Sequence, residues 1–299
     1  MGYEAKVLAD SLSPAGVRLL TVQVTFPRFI LAEVNTHRVF SRNSASSRAI
    51  PPEDLIKKVM DDPFIPETFN SRVKGMGVGA ALREDDYRLA VQEWLSARDA
   101  AVEAARGLLM ADVDKSRVNR LLEPFMWHTA IISSTEWDNF FALRSPEGDE
   151  PDIKFPAQLE FQKTAIAMRT VMRASEPQEL QPGEWHLPLV SEEEKAEYND
   201  NRDLGQYYLP MVSSGRCARV SYDTHENYEQ PTASFARAAR LEQNGHLSPH
   251  EHPATPPVPG EELKFHGNFR GWFQLRGMVD FEENRVGYLD GRKPWYVTN

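Results

Sequence analysis

The spacing of hydrophobic and polar residues predicts both strands and helices in this chain. Apolar residues alternate with other residues at Leu20, Val22, Val24 and Phe26, which is typical of a half-buried β-strand that stops at Pro27. A helical spacing begins at residue 87 and predicts a long amphipathic helix. Its apolar positions are Tyr87, Val91, Trp94, Ala97, Ala101, Ala105 and Leu108.

Sequence signals for helix ends predict several further helices. The run Pro-Pro-Glu-Asp at 51–54 is typical of a helix start. Ser133 with Glu136, and Ser191 with Glu194, have the spacing of capping boxes, so we expect a helix to begin at each. A third helical pattern has its apolar face at Phe161, Ala165, Met168 and Met172.

The order of these elements predicts a mixed α/β fold. Residues 61–83 carry Pro, Gly and Asn without periodicity and indicate a loop. A last helix, around residues 234–244, is stopped by Gly245. Strands and helices do not alternate in the way that would require a parallel sheet. We therefore expect an α/β (α+β) protein with a mixed sheet and long helices.

Composition narrows the class of protein. Hydrophobic residues make up 41% of the 299 residues and charged residues 26%, as in a soluble globular protein. No apolar run approaches the roughly 20 residues that span a bilayer, and no signal peptide is evident, so no membrane partner is expected. A single cysteine, Cys217, excludes a disulfide framework and fits the cytoplasm. The net charge of −10 argues against a general nucleic-acid binder.

Three motifs have competing interpretations. The glycines of residues 75–80 match a dinucleotide-binding pattern, but no strand precedes them and no suitably placed acid follows, which favours a flexible loop. The polar cluster at residues 246–252 is open to three interpretations: a metal site, contacts with a polar ligand, or structural capping. Cys217 is expected to be a buried, inert thiol, because nothing in the sequence indicates a base that activates it.

Residues 36–48 are the strongest candidate for a binding site. They follow an apolar stretch and precede a helix start, a junction at which binding groups are commonly displayed. Arginine guanidinium groups bind phosphate in a planar geometry, and hydroxyl and backbone N–H groups complete an anion site. The residues alone leave two interpretations open: a nucleotide or phosphate site, or a solvated basic loop.

The same residues resemble the flavin-dependent thymidylate synthases. In that family an RHR motif is followed by xxSxNExSxR, and this chain agrees at His37, Arg38, Ser41, Asn43, Ser46 and Arg48. A second block resembles the family's Arg-x-x-x-Pro, NFxxLR and AQxEI segments. Its matching residues are Arg120, Pro124, Asn139, Leu143, Arg144, Ala157, Gln158 and Glu160.

A third block matches the family in residues but not in chain order. CARVSY at 217–222 and HLSPHEH at 246–252 resemble the family's ARVSY and HxSPFEH elements. The family has them near its N-terminus, and here they come last, so the resemblance implies a circular permutation. It implies one catalytic domain over 1–299, with the first two blocks in 1–175, a connector at 176–205 and the permuted segment at 206–299.

The resemblance implies a role for each matching residue. Arg144 would bind the uracil edge of dUMP and stabilise negative charge at C5, acting as the catalytic residue by electrostatics. The other dUMP contacts would be Glu33, Ser46, Ser47, Arg48 and Arg120. The FAD contacts would be Thr36, His37, Arg38, Asn139, Ser221, His246, Ser248 and Glu251. These FAD contacts favour the ligand interpretation of residues 246–252, so no metal is expected.

Departures from the family motif leave the reaction product open. Thr36 replaces the first arginine of RHR, Ser44 replaces the glutamate of the NE pair, and Glu33 stands where the family often has glutamine. Ser133 replaces an early asparagine of the flavin site. Lost contacts could be replaced by Gln274 and Arg276.

The expected activity is reductive methylation of dUMP to dTMP with methylenetetrahydrofolate, FAD and NADPH, in a homotetramer. Three alternatives remain: hydroxymethylation of dUMP, use of dCMP through Glu33, or a non-catalytic paralogue that binds nucleotide or flavin. Product analysis separates the first two from methylation of dUMP, and absence of bound flavin would contradict any flavin-dependent enzyme.

Overall fold

This computed structural model describes residues 2–75, 77, 79–199, 207–220, 229–258, 260 and 264–279. The predicted cofactor residue Ser221 lies outside the described residues, as do parts of the 176–205 connector and of the segment after 206. The helices are α1 Leu31–Val34, α2 Pro52–Asp61, α3 Glu84–Met110, α4 Lys115–Val118, α5 Asp138–Arg144, α6 Leu159–Arg173, α7 Glu192–Asn199, α8 Tyr208–Cys217 and α9 Pro231–Gln243. The 3₁₀ helices are Arg28–Ile30, Asn119–Phe125, Ser248–Glu251 and Leu275–Met278.

A five-stranded mixed sheet forms the centre of the fold. Its strands are β1 Glu4–Leu12, β2 Arg18–Pro27, β3 Ser41–Ser44, β4 Trp127–Ser134 and β5 Gln178–Glu179, in the order β3-β4-β2-β1-β5. Neighbouring strands are antiparallel, except that β5 runs parallel to β1. The short strands are β6 Ala254–Thr255, β7 Phe265–His266, β8 Phe269–Arg270 and β9 Phe273–Gln274. The expected mixed α/β fold is confirmed.

One face of the sheet is apolar, and α5 and α6 cover it. Leu20, Val22, Val24 and Phe26 of β2 lie on this face, as the alternation predicted. The predicted apolar face of α6 packs against them through Phe161, Ala165, Met168 and Met172. The expectation that β2 is half-buried was wrong, because most of its residues on the other face are buried too.

The other face of the sheet carries buried hydroxyl groups. Thr21 of β2 and Ser133 of β4 are register partners, and both are fully buried. Segments from later in the sequence cover these hydroxyl groups. They contribute His186 and His252, which are hydrogen-bonded to Thr21 and Ser133, and an apolar group of Leu189, Cys217 and Val220 that packs on Ile131. The two faces therefore differ in chemistry as well as in the segments that cover them. We call them the apolar face and the polar face.

A separate apolar cluster supports the loop that follows β3. The predicted long helix is confirmed as α3, and its Val102 and Ala105 pack against Leu55 of α2 and Leu122 of the 3₁₀ helix Asn119–Phe125. The predicted helix start at 51–54 is confirmed by α2, with Pro52 in its first turn.

The two predicted capping boxes have different outcomes. Ser191 and Glu194 exchange both hydrogen bonds, with Ser191 N donating to Glu194 Oε2 at 3.0 Å and Glu194 N donating to Ser191 Oγ at 3.2 Å. The Ser133–Glu136 box was wrong, because Ser133 belongs to β4 and its hydroxyl bonds to other partners. Ser134 instead accepts a hydrogen bond from the backbone N of Glu136.

Helices α8 and α9 approach each other closely at Gly215. A Cβ atom at this position would lie 1.9 Å from the backbone O of Ser234, so only glycine fits. Gly245 follows α9 with φ of 74°, which confirms the predicted helix stop. Among the described helices, none is both long and apolar enough to cross a membrane.

Candidate functional site

Arg144 is the last residue of α5, and its guanidinium lies against aromatic rings. The Cζ atom is 5.0 Å from the ring centroid of Phe161 and 5.5 Å from that of Phe140. Nη2 donates to Thr36 Oγ1 at 3.1 Å, whereas Nη1 is buried without a hydrogen-bond partner among the described residues. Burial lowers the pKa of Arg144, because water solvates its charge less well there. A buried donor without a partner is costly, and an anionic or carbonyl ligand would satisfy it.

Thr36 joins Arg144 to the turn after α1. Thr36 Oγ1 donates to the backbone O of Glu33 at 2.6 Å, so the same oxygen is free to accept from Arg144. Thr36 and Glu33 are exposed. Glu33, Thr36 and Arg144 all have predicted roles, and these two hydrogen bonds connect them. Arg144 lies 108 positions after Thr36 in the sequence.

His37 lies beside this group, with its ring packed between phenylalanines. Its ring centroid is 4.3 Å from that of Phe40 and 5.7 Å from that of Phe140. Nε2 is 3.2 Å from the backbone O of Glu136. Burial lowers the pKa of His37, and the positive charges of Arg144 and Arg42 lower it further. Because a carbonyl only accepts, neutral His37 carries its proton on Nε2 and presents Nδ1 as an acceptor.

Arg42 is a member of this site to which the sequence analysis gave no role. It lies on β3, and its Nη1 donates to the backbone O of Val34 at 3.3 Å and of His37 at 3.4 Å. Burial lowers the pKa of Arg42, and the charge of Glu251 opposes that effect. Alternation along β3 places Arg42 on the opposite face from Ser41 and Asn43, which is the signal that could have identified it.

The segment that resembles HxSPFEH packs against β3, but its side chains do not all point to one place. His246 and Ser248 are exposed, whereas His250 and His252 are fully buried. The Glu251 carboxylate pairs with Arg276 and accepts from Asn268 Nδ2 at 3.3 Å. No group of three or more His, Cys, Asp or Glu side chains with the arrangement of a metal site occurs within the described residues.

Gln274 fastens this segment to β3. Its Nε2 donates to Ser41 Oγ at 2.9 Å and to the backbone O of Glu251 at 2.7 Å, and its Oε1 accepts from the backbone N of Asn268 at 3.1 Å. The suggestion that Gln274 and Arg276 replace lost ligand contacts therefore has a structural alternative. Gln274 is buried in protein contacts, and Arg276 pairs with Glu251.

The predicted phosphate-binding residues lie at the other end of β3. Asn119 Nδ2 donates to the backbone O of Ser47 at 2.6 Å and to that of Ile50 at 3.0 Å, which fixes the loop. Ser46 and Arg48 are exposed, and Ser47 is buried. The four residues of β3 separate this loop from the turn at His37 by about 13 Å, at about 3.3 Å per residue.

The remaining predicted residues are displayed on the surface. Arg120 lies next to Asn119, is exposed, and is 3.9 Å from the carboxylate of Glu123. Arg38 is exposed in the turn before β3, and Asn139 is exposed on α5. The structure thus forms two groups: the first contains Glu33, Thr36, His37, Arg42 and Arg144, and the second contains Ser46, Ser47 and Arg48.

Two hollows are present in the described part of the chain. A mainly apolar cavity of about 180 Å³ lies beside the Ser46–Arg48 loop and is lined by Ala45, Ile50 and Trp127 among others. A wider cleft of about 810 Å³ is lined by four arginines, which are Arg18, Arg169, Arg173 and Arg270. Arg18 pairs with Asp10 and Arg270 with Glu136, whereas Arg169 and Arg173 share the single carboxylate of Asp149.

No family model matches the chain, and no curated protein matches it. Among solved structures, the chain is similar to a UMP/dUMP methylase PolB from Streptomyces cacaoi, bound with 5-Br UMP in one structure and with 5-Br dUMP in another. The identities are 16% and 17%, the TM-score is 0.45 in both, and the match covers 57% of this chain and 88% and 89% of the PolB chains.

Proposed function

We propose that this chain is a flavin-dependent enzyme that methylates dUMP to dTMP, with methylenetetrahydrofolate and NADPH as co-substrates. The observation that carries the proposal is Arg144. Its guanidinium is partly desolvated and lies beside Thr36 and His37, and its Nη1 is buried without a hydrogen-bond partner in the described part of the chain. The sequence motif assigned this residue to the uracil edge, and its environment suits that role.

Arg144 acts by electrostatics in this proposal. Negative charge develops on the uracil ring as C5 becomes a nucleophile, and a fixed positive group stabilises that charge. Two features hold the guanidinium in place before substrate binds: the hydrogen bond to Thr36 Oγ1 and the rings of Phe140 and Phe161. Preorganisation of this kind avoids a reorganisation cost during the reaction.

The residues near His37 fit a flavin. His37 presents Nδ1 as an acceptor, so an N–H group of a flavin ring has a partner here. Thr36, Arg38, Asn139, His246 and Ser248 are exposed to a ligand. When bound, reduced FAD would supply the hydride that completes the transferred methyl group. Glu251 fits less directly, because its carboxylate pairs with Arg276.

The loop at the other end of β3 is proposed to hold the phosphate of dUMP. Ser46, Ser47 and Arg48 supply hydroxyl, backbone N–H and guanidinium donors. With the phosphate there, the nucleotide lies along β3 and its base reaches toward Arg144. Asn119 holds the carbonyls of Ser47 and Ile50, which fixes the loop.

The chain order is part of the proposal. The segment of residues 246–252 packs against β3 through Asn43, Ser41 and Gln274, so residues from both ends of the chain border one site. This contact supports a circular permutation of the family fold. A homotetramer with Arg120 contributed by a neighbouring subunit belongs to the same proposal, and light scattering of the purified protein tests it.

The test of the proposed function compares two arginines at helix ends. The purified chain is expected to carry FAD, seen by its absorbance, and to convert dUMP with methylenetetrahydrofolate and NADPH. Arg144→Ala should lower kcat by about 100-fold or more with FAD still bound. Arg173→Ala is the matched control, because Arg173 ends α6 and pairs only with Asp149 among the described residues; it should keep full activity.

Product mass and flavin content separate the alternatives. A product heavier than dTMP by one oxygen would replace methylation with hydroxymethylation, and turnover of dCMP in preference to dUMP would assign Glu33 to a cytosine amino group. A chain that binds flavin and nucleotide without forming product would be a non-catalytic paralogue. Purified protein without flavin and without effect on dUMP would contradict the proposal.

A further inference from the structure

A continuous chain of hydrogen bonds crosses the polar face of the sheet. Every link joins two side chains: Ser11 Oγ to His186 Nδ1 at 2.9 Å, His186 Nε2 to Thr21 Oγ1 at 2.8 Å, and Thr21 Oγ1 to Ser133 Oγ at 2.6 Å. From Ser133 Oγ the chain continues to His252 Nδ1 at 2.8 Å, and His252 Nε2 is 3.2 Å from the Asn43 amide. The members in order are Ser11, His186, Thr21, Ser133, His252 and Asn43.

Asn43 fixes the direction of the hydrogen bond between Asn43 and His252. The amide atom that faces His252 also lies 3.1 Å from the backbone O of Ser248 and 3.1 Å from that of Arg42. Carbonyl oxygens only accept hydrogen bonds, so this amide atom is the nitrogen, which only donates. Nε2 of His252 must therefore accept the hydrogen bond from Asn43.

The direction then propagates through the other members. His186 and His252 are neutral, because burial lowers the pKa of each to about 3. A neutral imidazole has one N–H, so a His252 that accepts at Nε2 carries its proton on Nδ1 and donates to Ser133. Ser133 then donates to Thr21, Thr21 donates to Nε2 of His186, and His186 donates from Nδ1 to Ser11. Each hydroxyl has a single proton, so only this direction leaves every link with one hydrogen.

We propose that Asn43 is a positioning residue that sets the tautomer of His252 and, through Ser133 and Thr21, that of His186. Because Asn43 also donates to the Ser248 carbonyl, the same residue fixes the Ser248–Glu251 helix relative to β3, which carries one candidate group at each end. Among the described residues His186 is hydrogen-bonded to Ser11 and Thr21 and not to Asn43, so the tautomer of His186 reports the coupling. The tautomer relation does not depend on the proposed reaction.

Long-range ¹H–¹⁵N NMR of the full chain with labelled histidine tests the proposal. The ¹⁵N shift separates protonated from unprotonated ring nitrogens, and His186→Gln and His252→Gln assign the two rings. Both rings are expected to carry the proton on Nδ1 in the unsubstituted chain. A proton on Nε2 of either ring in the unsubstituted chain would overturn the proposal.

Asn43→Asp tests the coupling directly. An ionised carboxylate only accepts hydrogen bonds, so the proton of His252 should move to Nε2. Every hydrogen bond from His252 to Ser11 should then reverse its direction, which moves the proton of His186 to Nε2 as well. A switch at His252 alone, or at neither ring, contradicts the coupling. Ser133→Ala cuts the link, so in that background Asn43→Asp should switch the tautomer of His252 only. A difference at His186 between Ser133→Ala and the double variant would contradict transmission through Ser133.

Discussion

The two faces of the central sheet are stabilised by different physics. On the apolar face, Val22, Phe26, Phe140 and Met168 are buried against one another, and the hydrophobic effect that holds them has no preferred direction. On the polar face, Thr21 and Ser133 are equally buried, but each depends on partners at fixed positions. An apolar face tolerates repacking, whereas a buried polar network is stable only when every member has its partner.

The largest expected effect is a loss of stability in acid, most of which comes from the two buried histidines of the polar face. Burial lowers the pKa of His186, His252 and His128 to about 3, below the value of about 6.5 in an unfolded chain. The unfolded state therefore binds more protons between these values, so stability is full above pH 6.5 and falls as the pH decreases toward 3. Each histidine should lower the free energy of unfolding by about 2 kcal/mol at pH 5, or about 6 kcal/mol for three.

Urea denaturation at pH 7 and pH 5 measures this loss, and histidine variants divide it between the faces. His128 lies beside Phe26, toward the apolar face, so His128→Gln should keep about two thirds of the pH dependence. Equal stability at the two pH values would show that His186 and His252 are not held neutral by burial.

A cavity on the apolar face should have the next largest effect. Phe26 is fully buried in β2, and Phe26→Ala should lower the free energy of unfolding by about 3–5 kcal/mol through lost burial and the space left behind. Met110→Ala is the control, because Met110 is 87% exposed at the end of α3. Urea denaturation of both variants checks this, and equal midpoints would mean that the face is not packed as described.

Two isosteric exchanges at neighbouring positions of β2 give the sharpest comparison of the faces. Thr21→Val leaves Ser133 and His186 each short of one partner, and Val22→Thr buries a hydroxyl among apolar side chains. Each should cost about 2 kcal/mol, although side-chain size hardly changes. Val73→Thr, at an exposed position, should have no measurable effect on thermal unfolding. If Thr21→Val stabilises the chain, the hydrogen bonds of the polar face are not the source of its stability.

The elements that follow from local spacing were predictable. Helix α3, the apolar face of α6 and the capping box of Ser191 and Glu194 each depend on residues within a few positions of one another. The predicted capping box of Ser133 and Glu136 was wrong because Ser133 pairs in the sheet and does not begin a helix. Pairing with Thr21 of β2 places Ser133 in the sheet, and no window around Ser133 contains that information.

The sequence predicted which residues belong to the candidate site better than it predicted which of them are in contact. Motif resemblance identified His37 and Arg144, and the structure brings them near each other through Thr36. The same motif contains Asn43 but did not indicate its contacts with His252, which is 209 positions away. Hydrogen bonds over such separations follow from topology, so the polar face could not be derived from periodicity.

The assignment of covering segments to the two faces has a consequence for synthesis on the ribosome. Residues of α5 and α6 emerge soon after β4 and can cover the apolar face at once. His186, His252 and the Trp272 ring, whose Nε1 donates to the backbone O of Val17, emerge later. Domains fold as the chain emerges from its N-terminus, so the polar face is covered last. Water can solvate its hydroxyl groups during that time, and the nascent chain therefore exposes less surface prone to aggregation.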